Sequence, residues 1–109
     1  MPHVYTVPEL KAKLTPVFDR YGVRRAVLFG SYGKGEATEK SDVDLLVDSG
    51  LHGLRFVGFM DDVRSALGKD VDILDVKHIV AGSRIEREIR DTGVTVYENA
   101  KVRSFLGIA

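Results

Sequence analysis

Residues 28–48 read LFGSYGKGEATEKSDVDLLVD and contain two apolar runs separated by a polar stretch. The first run stops at Gly30-Ser31, and ten residues later Asp42-Val43-Asp44 opens the second run. Short apolar runs bounded by glycine and polar residues indicate buried strands. The connection is too short for a crossover helix, so the two strands are predicted to be antiparallel neighbours.

Asp42 and Asp44 are predicted to project from the same face of the second strand, because side chains alternate between the two faces of a strand. The apolar residues between and after them then face the core. Two neighbouring carboxylates repel, and each raises the pKa of the other. No lysine or arginine stands between them. A bound cation is the simplest way to offset this repulsion, and Mg²⁺ prefers oxygen ligands.

Gly30-Ser31 and the residues that follow are predicted to bind an anion beside this cation. Glycine permits a sharp turn and a close approach of the backbone to a ligand. If residues 31–35 begin a helical turn, its free N–H groups favour an anion, and the Ser31 hydroxyl adds a donor. Lys34 could reach a phosphate as a point charge. Together the two sites suit a Mg²⁺-bound nucleoside triphosphate.

Each of these features has an ordinary structural explanation when it is taken alone. Ser41-Asp42 could be a turn before a strand, Gly30-Ser31 a common loop, and Lys34 a surface lysine. The combination of a strand, Gly-Ser, ten residues, Asp-x-Asp and a second strand is far more specific. We therefore favour the functional interpretation of the combination.

The rest of the chain predicts helices and strands around this pair. Thr6-Val-Pro-Glu9 has the form of a capping box and opens a helix that ends at Tyr21-Gly22, with Pro16 as a candidate kink. Further predicted elements are strands over 24–29, 43–48 and 70–76, helices over 51–67 and 83–91, and an extended segment over 94–97. This order predicts the α+β (mixed α/β) class, a small mixed sheet with helices packed on it.

Length and composition limit the classes of protein that the chain can represent. Its 109 residues suit a single domain over 1–109, with a core at about 7–98 and a frayed tail over 99–109. The 16 basic and 16 acidic residues balance, which argues against a long nucleic acid partner. The absence of cysteine excludes disulfides and thiolate metal sites. With neither a membrane-length apolar run nor a secretory pattern, we expect a cytoplasmic protein without a membrane partner.

The spacing of Gly30-Ser31 and Asp42-Val43-Asp44 resembles the signature of the DNA polymerase beta-type nucleotidyltransferase superfamily. The string over residues 28–47 is similar to its stand-alone branch, the minimal nucleotidyltransferases (MNT). The likeness covers about residues 7–98, including V-D-I in a later strand and an ending like I-x-x-E-I-x-x-x-G-V-x-V-Y. It implies the polymerase beta-type nucleotidyltransferase fold. Many members carry arginine where this chain has Lys34, so the charge is kept but the bidentate phosphate geometry is not.

The resemblance also implies a third catalytic carboxylate on a later strand. Asp72 matches by position, and strand alternation allows it to meet the Asp-x-Asp pair across the sheet. Asp70 shares that face and is the alternative, whereas Asp75 lies on the opposite face and is less suited. The plain structural alternative is that these aspartates are strand-edge charges that hinder aggregation.

The activity implied by the resemblance is nucleotidyl transfer with two Mg²⁺ ions as cofactors and ATP as substrate. The expected catalytic and metal-binding residues are Asp42, Asp44 and Asp72, and those expected to hold the triphosphate are Gly30, Ser31 and Lys34. In the predicted last helix, Arg84, Arg87, Arg90, Glu86 and Glu88 are interpreted as a solvated face or a partner surface.

The resemblance to stand-alone MNT proteins implies a partner of the all-helical HEPN class in a toxin–antitoxin pair. There the MNT member is the antitoxin and can transfer AMP to a tyrosine hydroxyl of the HEPN toxin. Because the chain has little beyond a catalytic platform, we expect the acceptor on another molecule. Two alternatives stay open: a binding module that neutralises its partner by contact alone, and a nucleotidyltransferase for a small hydroxyl-bearing acceptor such as an aminoglycoside.

Overall fold

A four-stranded mixed sheet lies at the centre of the computed structural model, which describes residues 4–99. The strands are β1 (Arg25–Phe29), β2 (Val43–Asp48), β3 (Val71–Asp75) and β4 (Val94–Glu98). Their spatial order is β3-β2-β1-β4. β1 is antiparallel to β2 and β4, whereas β2 and β3 are parallel. The predicted antiparallel pair and the predicted α+β class are both confirmed.

Within the described residues, two long helices and two short ones surround the sheet. They are α1 (Val7–Tyr21), α2 (Gly30–Lys34), α3 (Gly53–Leu67) and α4 (Arg84–Thr92), and a turn of 3₁₀ helix follows β3 at Val76–His78. α1 and α3 pack against each other and share the core with the sheet. α2 and α4 contact each other beside β1. Within residues 4–99, no helix combines the length and apolar character that crossing a membrane requires.

The core fixes which face of β2 carries the aspartates. Val43, Leu45 and Val47 are fully buried, whereas the side chains between them are only half-buried on the opposite face. The predicted alternation of β2 is therefore confirmed. Phe18 of α1 and Phe59 of α3 meet in the same core, with ring centroids 6.0 Å apart.

The ends of several elements differ from the sequence prediction. α3 begins at Gly53 instead of residue 51, because Gly53 has a φ of +56° and Leu51 is buried in the preceding loop. Leu54 and Val57 fit the helical spacing but are exposed, since α3 turns Phe56 and Phe59 toward the core instead. The predicted tail over 99–109 lies outside the described residues, apart from its first residue.

α1 begins and ends as its sequence predicts. The Thr6 Oγ1 accepts a hydrogen bond from the Glu9 backbone N–H at 3.2 Å, and the Glu9 Oε1 accepts one from the Thr6 N–H at 2.8 Å. This reciprocal pair is a capping box. Pro16 lies inside the helix, which continues to Tyr21.

We expect Thr6→Ala to lower the free energy of unfolding by about 1 kcal/mol, because it leaves an N–H group of the first turn without its acceptor. Thr15→Ala is the matched control in the same helix. The Thr15 hydroxyl only donates to the Lys11 carbonyl, at 2.7 Å, so its loss should change stability by less than about 0.5 kcal/mol. Urea unfolding followed by circular dichroism compares the two. Equal losses in both variants would contradict the capping role.

Candidate active site

The register between β2 and β3 places two carboxylates side by side. In this parallel pair Asp44 lies directly opposite Asp72. The Asp72 carboxylate is near enough for its charge to act on the Asp44 carboxyl group. Asp44 is half-buried and Asp72 is exposed, so the pair lies at the edge of a cleft. The face that carries them is the one predicted from the alternation of β2.

The Asp44 carboxyl group is in an unfavourable environment for a negative charge. Burial raises its pKa, and the nearby acidic groups Asp72, Glu88 and Asp42 raise it further, to about 6. A positive charge placed between these groups would reverse the effect. These carboxylate groups thus have the chemistry of a site for a divalent cation.

The three remaining aspartates of the sequence prediction lie in different surroundings. Asp42 is exposed immediately before β2, close enough to contribute to the field on Asp44. Asp70 is exposed immediately before β3, and its backbone carbonyl accepts a hydrogen bond from the Val43 N–H at 3.2 Å. Asp75 has a structural role, which its hydrogen bonds define.

The Asp75 carboxylate is 2 % exposed and accepts hydrogen bonds from three groups. These donors are the Ser49 hydroxyl, the Ser49 N–H at 3.4 Å and the Lys77 N–H at 3.2 Å. Burial would raise the pKa of Asp75, but these hydrogen bonds and the charge of Lys77 hold it below its ordinary value. Asp75 therefore joins the ends of β2 and β3 and takes no part in the acidic pair.

Gly30 allows the start of α2 to approach the acidic pair. Its φ is +70°, and a Cβ atom at this position would overlap the Oδ2 of Asp44 and lie 3.4 Å from the Oε1 of Glu88. The Gly30 N–H donates to the Oγ1 of Thr92 at 2.9 Å, which fixes α2 against α4. A glycine is required here both for its backbone conformation and for the space beside Asp44.

Ser31 and Lys34 lie on α2 with their side chains available to a ligand. Ser31 is half-buried in the first turn, and its backbone carbonyl accepts from the Glu36 N–H at 2.9 Å. Lys34 is exposed at the end of the helix. Within the part of the chain that the structure describes, neither the Ser31 hydroxyl nor the Lys34 ammonium group has a hydrogen-bonding or ionic partner.

Two clefts meet at this site. The first has a volume of about 510 Å³ and combines the acidic groups with an apolar wall; its lining residues are Phe29, Asp44, Arg64, Asp72, Ile73, Leu74, Ile85 and Glu88. The second, called here the cationic cleft, has a volume of about 480 Å³, and its three cationic side chains outnumber its two acidic ones; it is lined by Lys34, Arg84, Arg87, Glu88, Asp91 and Thr92. Glu88 borders both clefts, so they are adjacent.

The acidic pair supplies too few ligands to enclose a metal ion by itself. Among residues 4–99, no three histidine, cysteine, aspartate or glutamate side chains are grouped closely enough to hold one. Mg²⁺ is commonly bound by one or two carboxylates, with water and substrate phosphates completing its shell. Asp44 and Asp72 fit that mode of binding, in which the nucleotide brings the remaining oxygen ligands.

Sequence reasoning missed the contribution of α4 to the site. The sequence predicts a solvated face or a partner surface at Glu88, but this residue is half-buried and raises the pKa of Asp44. Arg84 and Arg87 line the cationic cleft. The only signal in the sequence is the recurrence of charge along one side of the helix, which is equally typical of a face in solvent.

Comparison with known proteins finds a matching family model and similar relatives. A family model described as "Polymerase beta, Nucleotidyltransferase" matches residues 12–102. A protein of Methanocaldococcus jannaschii with the provisional name of protein adenylyltransferase is 39 % identical over 75 residues, which cover 67 % of this chain and 81 % of that protein. Protein adenylyltransferase MntA of Thermococcus cleftensis is 36 % identical over 85 residues, which cover 71 % and 84 %.

The fold also matches a solved structure. It is a chain of the complex between a tri-AMPylated Shewanella oneidensis HEPN toxin and an MNT antitoxin, with a TM-score of 0.64 and 17 % identity. The match covers 94 % of this chain and 82 % of that chain. At this identity the likeness concerns the fold alone, and it agrees with the fold expected from the signature in residues 28–47.

We expect Gly30→Ala to destabilise the protein more than Gly35→Ala does. Both glycines have a positive φ, at +70° and +74°, so each substitution costs about 1–2 kcal/mol of backbone strain. A Cβ at position 35 meets no atom within 4 Å, whereas at position 30 it overlaps Asp44. Chemical unfolding measures both variants. The excess loss at Gly30 should disappear in an Asp44→Ala background, and its persistence there would contradict the contact.

We expect Asp44→Asn to stabilise the metal-free protein at pH 7.5 by about 1 kcal/mol, a value that allows for solvent screening of a half-buried group. The pKa of Asp44 is about 6 in the folded chain, above its ordinary value of 3.8. The protonated Asp44 carboxyl group therefore makes its full contribution to the free energy of unfolding below about pH 4. This contribution is lost as the pH rises through about 6 and the group ionises.

The measurement is urea unfolding in EDTA at pH 4 and pH 7.5. The gain in Asp44→Asn should be present at pH 7.5 and nearly absent at pH 4. Asp61→Asn, which changes an exposed aspartate of α3, is the control and should show little gain at either pH. A gain of the same size at both pH values would contradict the repulsion at Asp44.

Proposed function

Because the chain belongs to the polymerase beta nucleotidyltransferase family, we propose that it is a protein adenylyltransferase that transfers AMP from ATP to a partner protein. The partner that we propose is a HEPN-type toxin, which the chain would neutralise as its antitoxin. The observation that carries the proposal is the pairing of Asp44 with Asp72 beside the turn at Gly30-Ser31. This arrangement suits a metal-bound nucleotide whose α-phosphate lies next to the two carboxylates.

The names of the relatives support a protein as the acceptor of AMP. The Thermococcus cleftensis relative is named a protein adenylyltransferase, and the provisional name of the Methanocaldococcus jannaschii relative is the same. The solved complex with a similar fold contains a HEPN toxin that is AMPylated and an MNT antitoxin. A protein acceptor of the HEPN class follows from these names and is part of the proposal.

In this proposal Asp42, Asp44 and Asp72 bind Mg²⁺, with Asp44 and Asp72 opposite each other and Asp42 exposed immediately before β2. When bound, two Mg²⁺ ions would lower the pKa of the acceptor hydroxyl and neutralise charge on the reacting phosphate. The raised pKa of Asp44 supports this assignment, since a cation would remove the repulsion that causes it. The Ser31 hydroxyl would donate to a phosphate oxygen, in keeping with its place on α2 next to Gly30.

The proposed reaction is a single in-line displacement. The oxygen of the acceptor hydroxyl forms a bond to the α-phosphorus of ATP, and the bond from that phosphorus to the oxygen bridging to the β-phosphate breaks. Pyrophosphate leaves with the electron pair of the broken bond. The hydroxyl proton passes to the Asp72 carboxylate and then to solvent, so no covalent intermediate on the protein is required.

The apolar wall of the first cleft supports an aromatic acceptor. Phe29, Leu74 and Ile85 line this cleft together with Asp44 and Asp72. A tyrosine ring could pack against such a wall while its hydroxyl reaches the acidic pair, because the ring is apolar and its oxygen is polar. The proposal therefore names tyrosine as the modified residue.

The test combines the purified chain with ATP, Mg²⁺ and the product of the adjacent reading frame, and measures added AMP by mass spectrometry. We expect Asp44→Asn and Asp72→Asn each to lower the rate of transfer by at least about 100-fold, because each removes a ligand of the reacting centre. Asp70→Asn is the matched control, since Asp70 is exposed just before the same strand, and should keep transfer within about threefold.

Two outcomes would contradict the proposal. If the wild-type chain adds no AMP yet both it and an Asp44→Asn/Asp72→Asn variant neutralise the partner, the chain acts by contact alone. If the wild-type chain transfers AMP to a small hydroxyl compound and not to the protein, the acceptor class is wrong.

Loss of transfer in Asp70→Asn with retention in Asp72→Asn would reassign the third carboxylate.

A further inference from the structure

We infer that Arg84 and Arg87 of α4, together with Lys34 of α2, bind the β- and γ-phosphates of the nucleotide. This inference rests on the proposed function and extends it to residues on a helix that the Gly-Ser signature does not include. Arg84, Arg87 and Lys34 line the second cleft, which has a volume of about 480 Å³. The observation that carries the inference is that this cationic cleft borders the acidic pair through Glu88.

One face of α4 is directed toward the site. Arg84, Arg87, Glu88 and Asp91 follow the helical spacing of i, i+3, i+4 and i+7, and all four line the cationic cleft. Thr92 continues this face and accepts the hydrogen bond of the Gly30 N–H at 2.9 Å. The short helix that carries Ser31 and Lys34 is thereby held against α4, so the two arginines lie near the proposed phosphate-binding turn.

Arg84, Arg87 and Lys34 form no ion pair within residues 4–99. Arg20, Arg24 and Arg90, in contrast, each form one. Glu88 and Asp91 also line the cleft, which leaves three cationic and two acidic side chains around it. The Oε1 of Glu88 faces Gly30, and it would lie 3.4 Å from a Cβ atom added to that glycine. The cleft therefore has an excess of positive charge that an anion would balance.

The chemistry of the cluster favours a polyphosphate over a single carboxylate. A guanidinium group presents a planar set of donors that matches two phosphate oxygens, whereas the Lys34 ammonium group acts as a point charge. Two guanidinium groups beside a lysine can contact two successive phosphates. An α-phosphate at the acidic pair would leave the β- and γ-phosphates to enter the adjacent cationic cleft, and pyrophosphate would leave through it.

The test measures binding of sodium tripolyphosphate to the full chain by isothermal titration calorimetry at low ionic strength with Mg²⁺. We expect Arg84→Gln/Arg87→Gln to lower the affinity about 10- to 100-fold, because it removes charge-assisted hydrogen bonds. Arg90→Gln is the matched control, since Arg90 pairs with Glu86 at 3.6 Å on another side of α4, and should change the affinity less than twofold. Arg84→Lys/Arg87→Lys should give an intermediate affinity, since it keeps the charge without the planar geometry.

A nucleotide series separates this inference from electrostatic attraction in general. The glutamine variant should lose affinity for ATP about as strongly as for tripolyphosphate, and its affinity for AMP, which lacks the β- and γ-phosphates, should change less than twofold. Equal binding of tripolyphosphate by the wild-type chain and the variant, or no binding by either, would overturn the inference. Equal losses for AMP and ATP would also overturn it. A variant that binds ATP normally but no longer binds the partner protein would assign the arginines to a protein interface instead.

The failure of this inference can be told apart from failure of the proposed function. Tripolyphosphate binding requires neither an acceptor nor turnover. If the arginines are needed for binding but no AMP is transferred, the inference stands and the proposed reaction fails. If AMP is transferred and the glutamine variant keeps the wild-type KM for ATP, the reaction stands and the inference fails.

Discussion

The register of the parallel pair β2–β3 is the constraint on which the site depends, because it alone sets Asp44 opposite Asp72. A slip by one residue would turn the side chains of a strand to the opposite face. Such a slip is opposed by Val43, Leu45 and Val47, which are fully buried. The hydrophobic core of the other face therefore holds together two carboxylates that repel each other, and this repulsion is part of what raises the pKa of Asp44.

The loop between β1 and β2 and the helix α4 complete the site around this pair. Gly30 removes the side chain that would overlap Asp44, and its N–H is bound by Thr92. The Thr92 hydroxyl in turn donates to the Glu88 carbonyl at 2.7 Å, within α4. One threonine thus links the turn at the end of β1 to the helix that carries Glu88, so the positions of the two are set together.

The sequence predicted the α+β class and the face of β2 that carries Asp44, because both depend on local patterns. Strand alternation assigned Asp44 to the face opposite the core, and the short connection indicated an antiparallel pair, as the structure has it. The choice of Asp72 over Asp70 came from the family resemblance, because the register between two strands distant in the chain is contained in no local pattern. The contact between α4 and the site could not be predicted from the sequence either, since the charges of Arg84, Arg87 and Glu88 have the spacing of an ordinary solvated face.

Although positive and negative charges balance over the whole chain, they are distributed unevenly at the site. The formal net charge is zero, which argues against a long polyanion as partner. Locally, the carboxylates of Asp44 and Asp72 border one cleft, while Lys34, Arg84 and Arg87 border the next. A nucleoside triphosphate would suit this arrangement if its α-phosphate lay at the acidic pair, where the carboxylates would hold a divalent cation, and its β- and γ-phosphates extended into the cationic cleft. Either cleft alone would attract simple ions, but their adjacency favours a ligand that carries both signs of charge at this separation.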